Sequence, residues 1–290
     1  VRNCVFKNTH QNGNYAAFDI GGTSYFPFIE NCLFENAMGI SSGGHVDISG
    51  TTFYKCRNGI ATKNALVLNC LFLDNDRNEI HDPTAVSLND RSSALINYGE
   101  NINVYNSVFW NNKNYSDDLV NYTEAGDGAN TNFYNCIMQN GTSSFNKYLS
   151  STFTFTGTYQ DCIETTPMFS QEAGKEFEFS QTCSRVPSGF NLGYSQPIAG
   201  KYRGTNVSDV LSKVMDANGN PRMWDDTVDI GPYETQYLDG RIDVDLQPQD
   251  VGVCEGEGAS FTAKARSGNL ITQWQKSVNG GAFSNMGNMT

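Results

Sequence analysis

Basic residues are scarce in this sequence of 290 amino acids. Lysine and arginine together number 19 against 31 aspartates and glutamates, which gives a formal net charge of −12. A protein that binds DNA or RNA needs a clustered basic surface, because it must neutralise the phosphate backbone. No basic stripe occurs along the sequence, so a nucleic-acid partner is not expected.

Long apolar runs and helical periodicity are also missing. No segment has the roughly 20 apolar residues of a transmembrane helix, and no secretory signal peptide is recognisable. Apolar residues do not recur at a spacing of about 3.6 over the length of a helix. Short apolar runs bounded by Gly or Asn occur instead, for example at 46–48 and 65–68, and these are typical of short strands joined by turns. The sequence therefore predicts an all-β protein.

The motifs of common catalytic and metal sites are absent as well. His10, His45 and His81 are widely separated and form no His-x-x-x-His pattern, so they predict no metal site. Gly-x-Ser-x-Gly does not occur, and the Gly-Gly pairs at 21–22 and 43–44 are interpreted as turns rather than phosphate cradles. From these motifs we predict no catalytic residue and no cofactor.

The sequence does contain a repeated fragment, Asn-Cys-x-Phe-x-Asn, which appears at residues 3–8 and again at 31–36. Later copies have Thr51 or Ser107 in place of Cys, and one has Met138 in place of Phe. The Cys-equivalent positions recur at intervals of 19 to 37 residues. Self-similarity at roughly 20–50 residues is typical of stacked repeats rather than of a globular domain.

The Cys and Phe positions of each copy are two residues apart, so their side chains point to the same side of a strand. Stacked copies would align these side chains and place the closing Asn residues in a row at one corner. This arrangement is a parallel β-helix, a solenoid, of about seven coils over residues 1–165, roughly 30 Å long. The interval between Cys70 and Ser107 is expected to hold one extra coil, since 94–96 and 103–105 are both strand-like. The predicted structural ladder is Cys4, Cys32, Thr51, Cys70, Ser107, Cys136, Cys162, Phe6, Phe34, Phe53, Phe72, Phe109 and Met138.

Eight cysteines would suit a disulfide framework, but five of them occupy one position of the repeat. Thr51 and Ser107 take that position in other copies, and a disulfide would not tolerate those replacements. We therefore expect the ladder cysteines to be reduced thiols that act as small apolar side chains. The states of Cys56, Cys183 and Cys254, which lie outside the ladder, stay open.

Two motifs follow the repeats, DANGNPR at 216–222 and VDIGPYE at 228–234. They resemble the closing motifs of exported bacterial right-handed parallel β-helix proteins, of the pectate-lyase-like superfold and the choice-of-anchor type, with Pro232 where a small residue is usual. The resemblance covers roughly residues 1–236. It implies export, in many members by the type IX route, and a location outside the cell or on its surface.

A solenoid needs a polar end, because its last coil exposes unpaired strand edges. Residues 166–236 are therefore expected to form the last coils and a closing cap held by paired charges. The predicted cap residues are Asp216, Arg222, Asp229 and Glu234. The alternative interpretation is a catalytic pair of carboxylates drawn from Asp225, Asp226 and Asp229.

Residues 237–290 have a different pattern, in which strand-like segments and turns alternate and Trp274 lies between two glutamines. This pattern resembles the first half of a bacterial Ig-like sandwich, with Trp274 as its core tryptophan. Because the chain also starts at Val1 within a repeat strand, we expect it to be part of a longer protein.

One acidic loop follows the copy of the repeat at residues 69–72, and Ca²⁺ is its candidate ligand. Its oxygen-bearing side chains suit a hard cation, but their spacing departs from that of a calcium loop, so a solvated loop is the preferred interpretation. The candidate cation ligands are Asp74, Asp76 and Glu79. The nearby residues that a β-helix enzyme could use are Arg77, His81, Asp82 and Arg91.

Two functions fit these observations. The first is a non-enzymatic module of a large secreted or cell-surface bacterial protein, acting in adhesion, display or spacing, with a polysaccharide or another surface as its partner. The second is a polysaccharide lyase or glycoside hydrolase that acts on the face of the solenoid. An enzyme of that kind would need acidic and basic side chains that converge on one sheet face across adjacent coils.

Overall fold

The computed structural model describes residues 1–9, 17–21, 27–75, 94–113, 119–147, 153–180, 189–224, 226–235, 243–246, 248–266 and 273–286. The chain divides into two units, Val1–Ser180 with Pro187–Glu234 and Gln181–Val186 with Thr235–Thr290. Across the described ranges, regular structure is β apart from the short 3-10 helix Gly141–Ser144, so the prediction of an all-β protein is confirmed. No helix in this part of the chain is long and apolar enough to cross a membrane.

The first unit contains eighteen described strands. They are β1 (Val5–Lys7), β2 (Phe18–Ile20), β3 (Phe28–Glu30), β4 (Leu33–Glu35), β5 (Ile40–Ser49), β6 (Thr52–Tyr54), β7 (Ile60–Leu68), β8 (Leu71–Leu73), β9 (Leu95–Asn97), β10 (Asn101–Tyr105), β11 (Val108–Trp110), β12 (Tyr122–Glu124), β13 (Asn130–Tyr134), β14 (Ile137–Met138), β15 (Phe145–Lys147), β16 (Tyr159–Gln160), β17 (Gly200–Tyr202) and β18 (Thr205–Val207). Most are three to five residues long, as expected where turn-forming Asn and Gly interrupt the apolar runs so often.

The short strands of the repeated fragment form a six-stranded parallel sheet in the order β1-β4-β6-β8-β11-β14. Its register aligns the Phe positions, and neighbouring rings stack with centroids 4.5 to 5.1 Å apart and nearly parallel planes. The aligned residues are Phe6, Phe34, Phe53, Phe72, Phe109 and Met138. Stacked rings and apolar neighbours thus fill the space behind this sheet.

Asn flanks each short strand because the backbone there is left-handed. The residues before and after these strands have φ between 48° and 59°, a region that Asn, Asp and Gly adopt more readily than other residues. The opening positions are Asn3, Asn31, Gly50, Asn69, Asn106, Asn135 and Asp161. The closing positions are Asn8, Asn36, Lys55, Asp74, Asn111 and Asn140. A sharp bend at both ends is what limits these strands to two or three residues.

The second sheet has ten strands and is parallel throughout. The long strand β7 pairs with β9 through its first half and with β10 through its second half. Consequently β9 and β10 belong to one repeat, and β8 pairs directly with β11. The predicted extra coil between Cys70 and Ser107 is therefore wrong, because its two strand-like segments lie one after the other along β7 in a single repeat.

Residues 189–234 and 169–179 cover the outer faces of the two sheets. Leu66 and Leu68 of β7 pack against Ile198, Val210 and Leu211. A second apolar cluster lies on the outer face of the six-stranded sheet. It joins side chains of that sheet to residues 169–179 and to Ile230, and its members include Leu71, Leu73, Val108, Ile137, Phe169, Phe177, Phe179 and Ile230. The segment that was predicted to close the end of the stack therefore lies along its side.

The second unit contains two described hairpins, β19 (Asp243–Leu246) with β20 (Lys264–Arg266) and β21 (Gln275–Lys276) with β22 (Ser284–Asn285), both antiparallel. Trp274, which was predicted to be a core residue, is 48% exposed. The prediction of a truncated Ig-like half, which is too short to close a sandwich, stays a prediction. The predicted bounds 1–165, 166–236 and 237–290 stay predictions.

Candidate functional site

A groove of about 490 Å³ lies on the outer face of the ten-stranded sheet, beside the β17–β18 hairpin. Its walls combine polar side chains with a few small or aliphatic ones. The lining residues are His45, Asp47, Asn64, Ala65, Leu66, Asn103, Ala199, Gly200, Lys201, Asn206 and Val207. It has the form that suits a ligand, since ligands bind in concave sites with a few convergent polar groups.

Strand alternation sets the sheet side of the groove. Val46, Ile48 and Val67 point inward and are fully buried, so the residues between them point outward. Register then brings His45 beside Asn64, and Asp47 beside Leu66, on neighbouring strands. Asn103 of β10 pairs with Leu66 on its other side and completes this wall.

His45 is held between two oxygen atoms. Its Nε2 lies 2.5 Å from Oδ1 of Asp47, and its Nδ1 lies 2.8 Å from Oδ1 of Asn64. Burial lowers the pKa of His45, but the hydrogen bond and negative charge of Asp47 outweigh it, so the pKa is raised above its ordinary value. The side chain of Asp47 is only 4% exposed, and a protonated His45 supplies the counter-charge that this nearly buried carboxylate needs.

The opposite wall is the β17–β18 hairpin, which supplies Lys201 and Asn206. Arg203 and Gly204 form its two-residue turn, and both have positive φ, as a tight hairpin of this type requires. Gly200 allows the hairpin to lie close to the sheet, because a Cβ atom there would meet Leu66 Cδ2 at 3.3 Å.

The tip of the hairpin is anchored beyond the groove. The guanidinium of Arg203 lies 2.7 Å from Oε2 of Glu30, and Arg2 Nε lies 3.2 Å from the same oxygen. Tyr202 packs edge-on against Phe28, with ring centroids 5.1 Å apart. Glu30 is fully buried, so these contacts connect the tip of the hairpin to β3 of the sheet.

The Cys-equivalent residues face the core, away from this groove, and only Cys4 and Cys162 among them are partly exposed. Each side chain donates a hydrogen bond to the carbonyl oxygen two residues earlier, over 2.9 to 3.4 Å. Thr51 also accepts the N–H of Cys32, and Ser107 accepts that of Cys70, which in both cases is the equivalent residue in the preceding repeat. Thiol acceptors follow the same pattern at Cys32, Cys70, Cys136 and Cys162.

All of the described cysteines are free thiols. Burial raises the pKa of Cys70, and that of Cys56, to about 12, so both stay protonated at neutral pH. Cys254 is exposed, and Cys183 lies outside the described residues. The predicted Cys positions thus form a row of small hydrogen-bonding groups, and none of them lines the groove.

The predicted cap residues gather around Arg222, which is fully buried. Its guanidinium donates to the carbonyl oxygens of Gly231 and Pro232, at 3.0 and 2.9 Å, rather than to a carboxylate in the predicted ion pairs. The pKa of Arg222 is lowered, because the effect of burial exceeds the opposite effect of the acidic groups of Glu234, Asp216 and Asp229. The carboxylates themselves accept backbone N–H groups of residues 191, 220, 229 and 234.

This cluster is not at the end of the stack. Asn31 donates its side-chain amide to the carbonyl of Asp216, and Asn69 donates to the carbonyl of Asp229, both over 2.9 Å. The opening Asn residues of early repeats therefore hold the segment along one corner. The predicted position of the cap at the end of the stack is therefore wrong. The side-chain amides at these left-handed corners donate to carbonyl oxygens of the segment and hold it along the corner instead.

The other candidate residues do not form a site in the described chain. Asp226 is exposed while Asp229 is buried against Asn69, and Asp225 lies outside the described residues. Asp74 accepts a hydrogen bond from Asn111 over 2.6 Å and occupies a closing corner. The candidates that lie outside the described residues are Asp76, Arg77, Glu79, His81, Asp82 and Arg91. Within the described ranges no three His, Cys, Asp or Glu side chains are grouped so as to hold a metal ion.

Sequence reasoning identified the strand that contains His45 and Asp47 but not their role in a groove. Their alternation with Val46 and Ile48 was the available signal, because it places both polar side chains on one face. Lys201 could not be assigned to the same site, since more than 150 residues separate it from His45 in the chain. Comparisons with family models, with curated proteins and with solved structures give no match.

Proposed function

We propose that this chain is a non-catalytic, carbohydrate-binding module of a large secreted or cell-surface protein, and that the groove is its binding site. The parallel sheets would be the walls of a right-handed parallel β-helix of the choice-of-anchor type, on which the groove is displayed. Parallel pairing between equivalent residues of successive repeats supports that fold. The closing motifs and the acidic, Asn- and Gly-rich composition support export and an adhesive role.

The lining of the groove is the observation that carries the proposal. Amide groups of Asn64, Asn103 and Asn206, the Asp47 carboxylate and the Lys201 ammonium can hydrogen-bond to sugar hydroxyls. The aliphatic side chains among them, such as Leu66 and Val207, suit the C–H faces of a sugar ring.

Binding fits this lining better than hydrolysis does. Asp47 is the one carboxylate among the described residues that line the groove. Glycoside hydrolysis generally needs two carboxyl groups, about 5 to 9.5 Å apart, on either side of the scissile bond. Both ring nitrogens of His45 already face Asp47 and Asn64, which argues against its use as a general acid or base.

A panel of immobilised neutral and acidic polysaccharides tests the proposal. We expect the protein to bind at least one of them without cleaving it, and Asn206→Ala or Lys201→Gln to weaken binding about tenfold, which is the effect of losing roughly 1.4 kcal/mol of contact energy. Lys213→Gln is the matched control, since Lys213 is exposed and outside the groove.

Two results would contradict the proposal. Cleavage of any polysaccharide on the panel, with or without added Ca²⁺, would favour the lyase or hydrolase interpretation. Equal losses of binding in Lys201→Gln and Lys213→Gln would move the binding site away from the groove.

A further inference from the structure

The two contacts of the His45 ring define its protonation state. A neutral imidazole has one N–H donor and one acceptor nitrogen, whereas imidazolium has two donors. Asp47 presents a carboxylate oxygen to Nε2, and Asn64 presents an amide oxygen to Nδ1. Both partners are acceptors, so both contacts are hydrogen bonds only when the ring is doubly protonated.

The orientation of the Asn64 amide is supported by a second contact. Its Nδ2 lies 3.5 Å from Oε2 of Glu100, a carboxylate that can only accept. The amide nitrogen therefore faces Glu100, and the amide oxygen is the atom left to face His45. Asp47, Asn64 and Glu100 come from three successive strands or their ends, so the arrangement depends on the register of the sheet.

We propose that His45 is the protonation switch of the groove: imidazolium holds Asp47 and Asn64 in the binding arrangement, and loss of a proton releases one of them. This inference rests on the proposed carbohydrate-binding function. Loss of the Nδ1 or Nε2 proton leaves a lone pair facing an oxygen, and Asp47 or Asn64 must then turn away. A nearly buried carboxylate would also lose its counter-charge, which is unfavourable.

The charges around the ring act in opposite directions. Asp47 on the same strand contacts the ring and favours imidazolium. Glu100 contacts the amide nitrogen of Asn64 rather than the ring itself. Lys201 of the facing hairpin lowers the pKa of His45. The net direction is a raised pKa. The arrangement is therefore fully present below the ordinary pKa of histidine and is lost as the pH rises through the raised value.

Two measurements on the full chain test the inference. Nitrogen-15 NMR of the imidazole, assigned with His45→Gln, should show two protonated ring nitrogens at pH 6 and a titration above the ordinary value of about 6.5. Binding of the polysaccharide selected on the panel should fall at least tenfold across that titration between pH 5 and 9. Asp47→Asn should move the NMR midpoint about one pH unit or more downward, because it removes the facing charge.

The outcomes separate the two proposals. If a polysaccharide binds with the same affinity from pH 5 to 9, or if His45 is neutral at pH 6, the switch is overturned and the binding function stands. An unchanged midpoint in Asp47→Asn would also overturn it. If no polysaccharide binds at any pH, the binding function fails and the switch fails with it, whatever the NMR titration gives.

Discussion

At the residue scale, the Cys-equivalent position explains why Cys, Thr and Ser replace one another in the repeat. All three side chains have a hydrogen on a small γ-atom that can also accept a hydrogen bond. Each one bonds the carbonyl two residues earlier and receives the N–H of the preceding repeat. The position therefore selects for hydrogen bonding at a sharp corner, in addition to small size.

Replacement of Cys70 separates these two requirements. Cys70→Ser keeps the donor and the acceptor, and we expect it to lower the free energy of unfolding by less than about 1 kcal/mol. Cys70→Ala leaves the buried N–H of Thr51 without its acceptor and should cost about 1–3 kcal/mol. Urea unfolding at neutral pH measures both values. Equal losses in the two variants would show that size alone matters at this position.

For individual residues, the sequence was sufficient to predict the turns at the flanking Asn positions but not the hydrogen bonds of the cysteines. The flanking Asn residues were assigned to turns from their type alone, and their left-handed φ values follow from the same property. Cysteine was interpreted as an apolar side chain, and the hydrogen bonds at Sγ were not foreseen. Thr51 and Ser107 were the signal for them, because a hydroxyl in a buried position needs a partner.

At the scale of elements, pairing between successive repeats could be predicted from the sequence, but contacts between segments far apart in the chain could not. Parallel pairing between successive repeats follows from the repeated pattern itself, as in the register of β4, β6 and β8. The position of residues 189–234 does not, because it depends on contacts such as Asn69 with Asp229, which are 160 residues apart. The groove depends on this segment, since the β17–β18 hairpin is part of it.

The buried carboxyl group of Glu234 gives this segment a pH dependence. Burial and the charges of Asp229 and Asp216 raise the pKa of Glu234 to about 9. The folded state therefore binds a proton that the unfolded state releases above about pH 4.5, and this contribution to stability falls as the pH rises towards 9. Glu234→Gln imitates the protonated group and should remove that loss.

We expect the melting temperature of Glu234→Gln to match that of the wild type at pH 4 and to exceed it at pH 8, where the free-energy difference should be at least about 1 kcal/mol. Glu172→Gln is the control, because that side chain is 64% exposed. A higher melting temperature for the wild type than for Glu234→Gln at pH 8 would mean that Glu234 is ionised in the folded protein and holds Arg222 by charge.

At the scale of the whole molecule, the first unit places a largely apolar interior on one side of its strands and the groove on the other side. Stacked aromatic rings and protonated thiols fill the interior, where burial suppresses ionisation. The charged and amide side chains of the groove lie on the outside of the same strands. In the strands that line the groove, alternation therefore places core side chains on one face and the proposed ligand contacts on the other.

The alignment of equivalent side chains in successive repeats is the claim on which this account depends, and the sulfur positions test it most directly. Anomalous diffraction at the sulfur edge should locate Cys4, Cys32, Cys70, Cys136 and Cys162 along one line. Neighbours in adjacent repeats should be about 5 Å apart, and those separated by Thr51 or Ser107 about 10 Å apart. Sulfur atoms dispersed over different sheets, or joined in disulfides, would contradict the account.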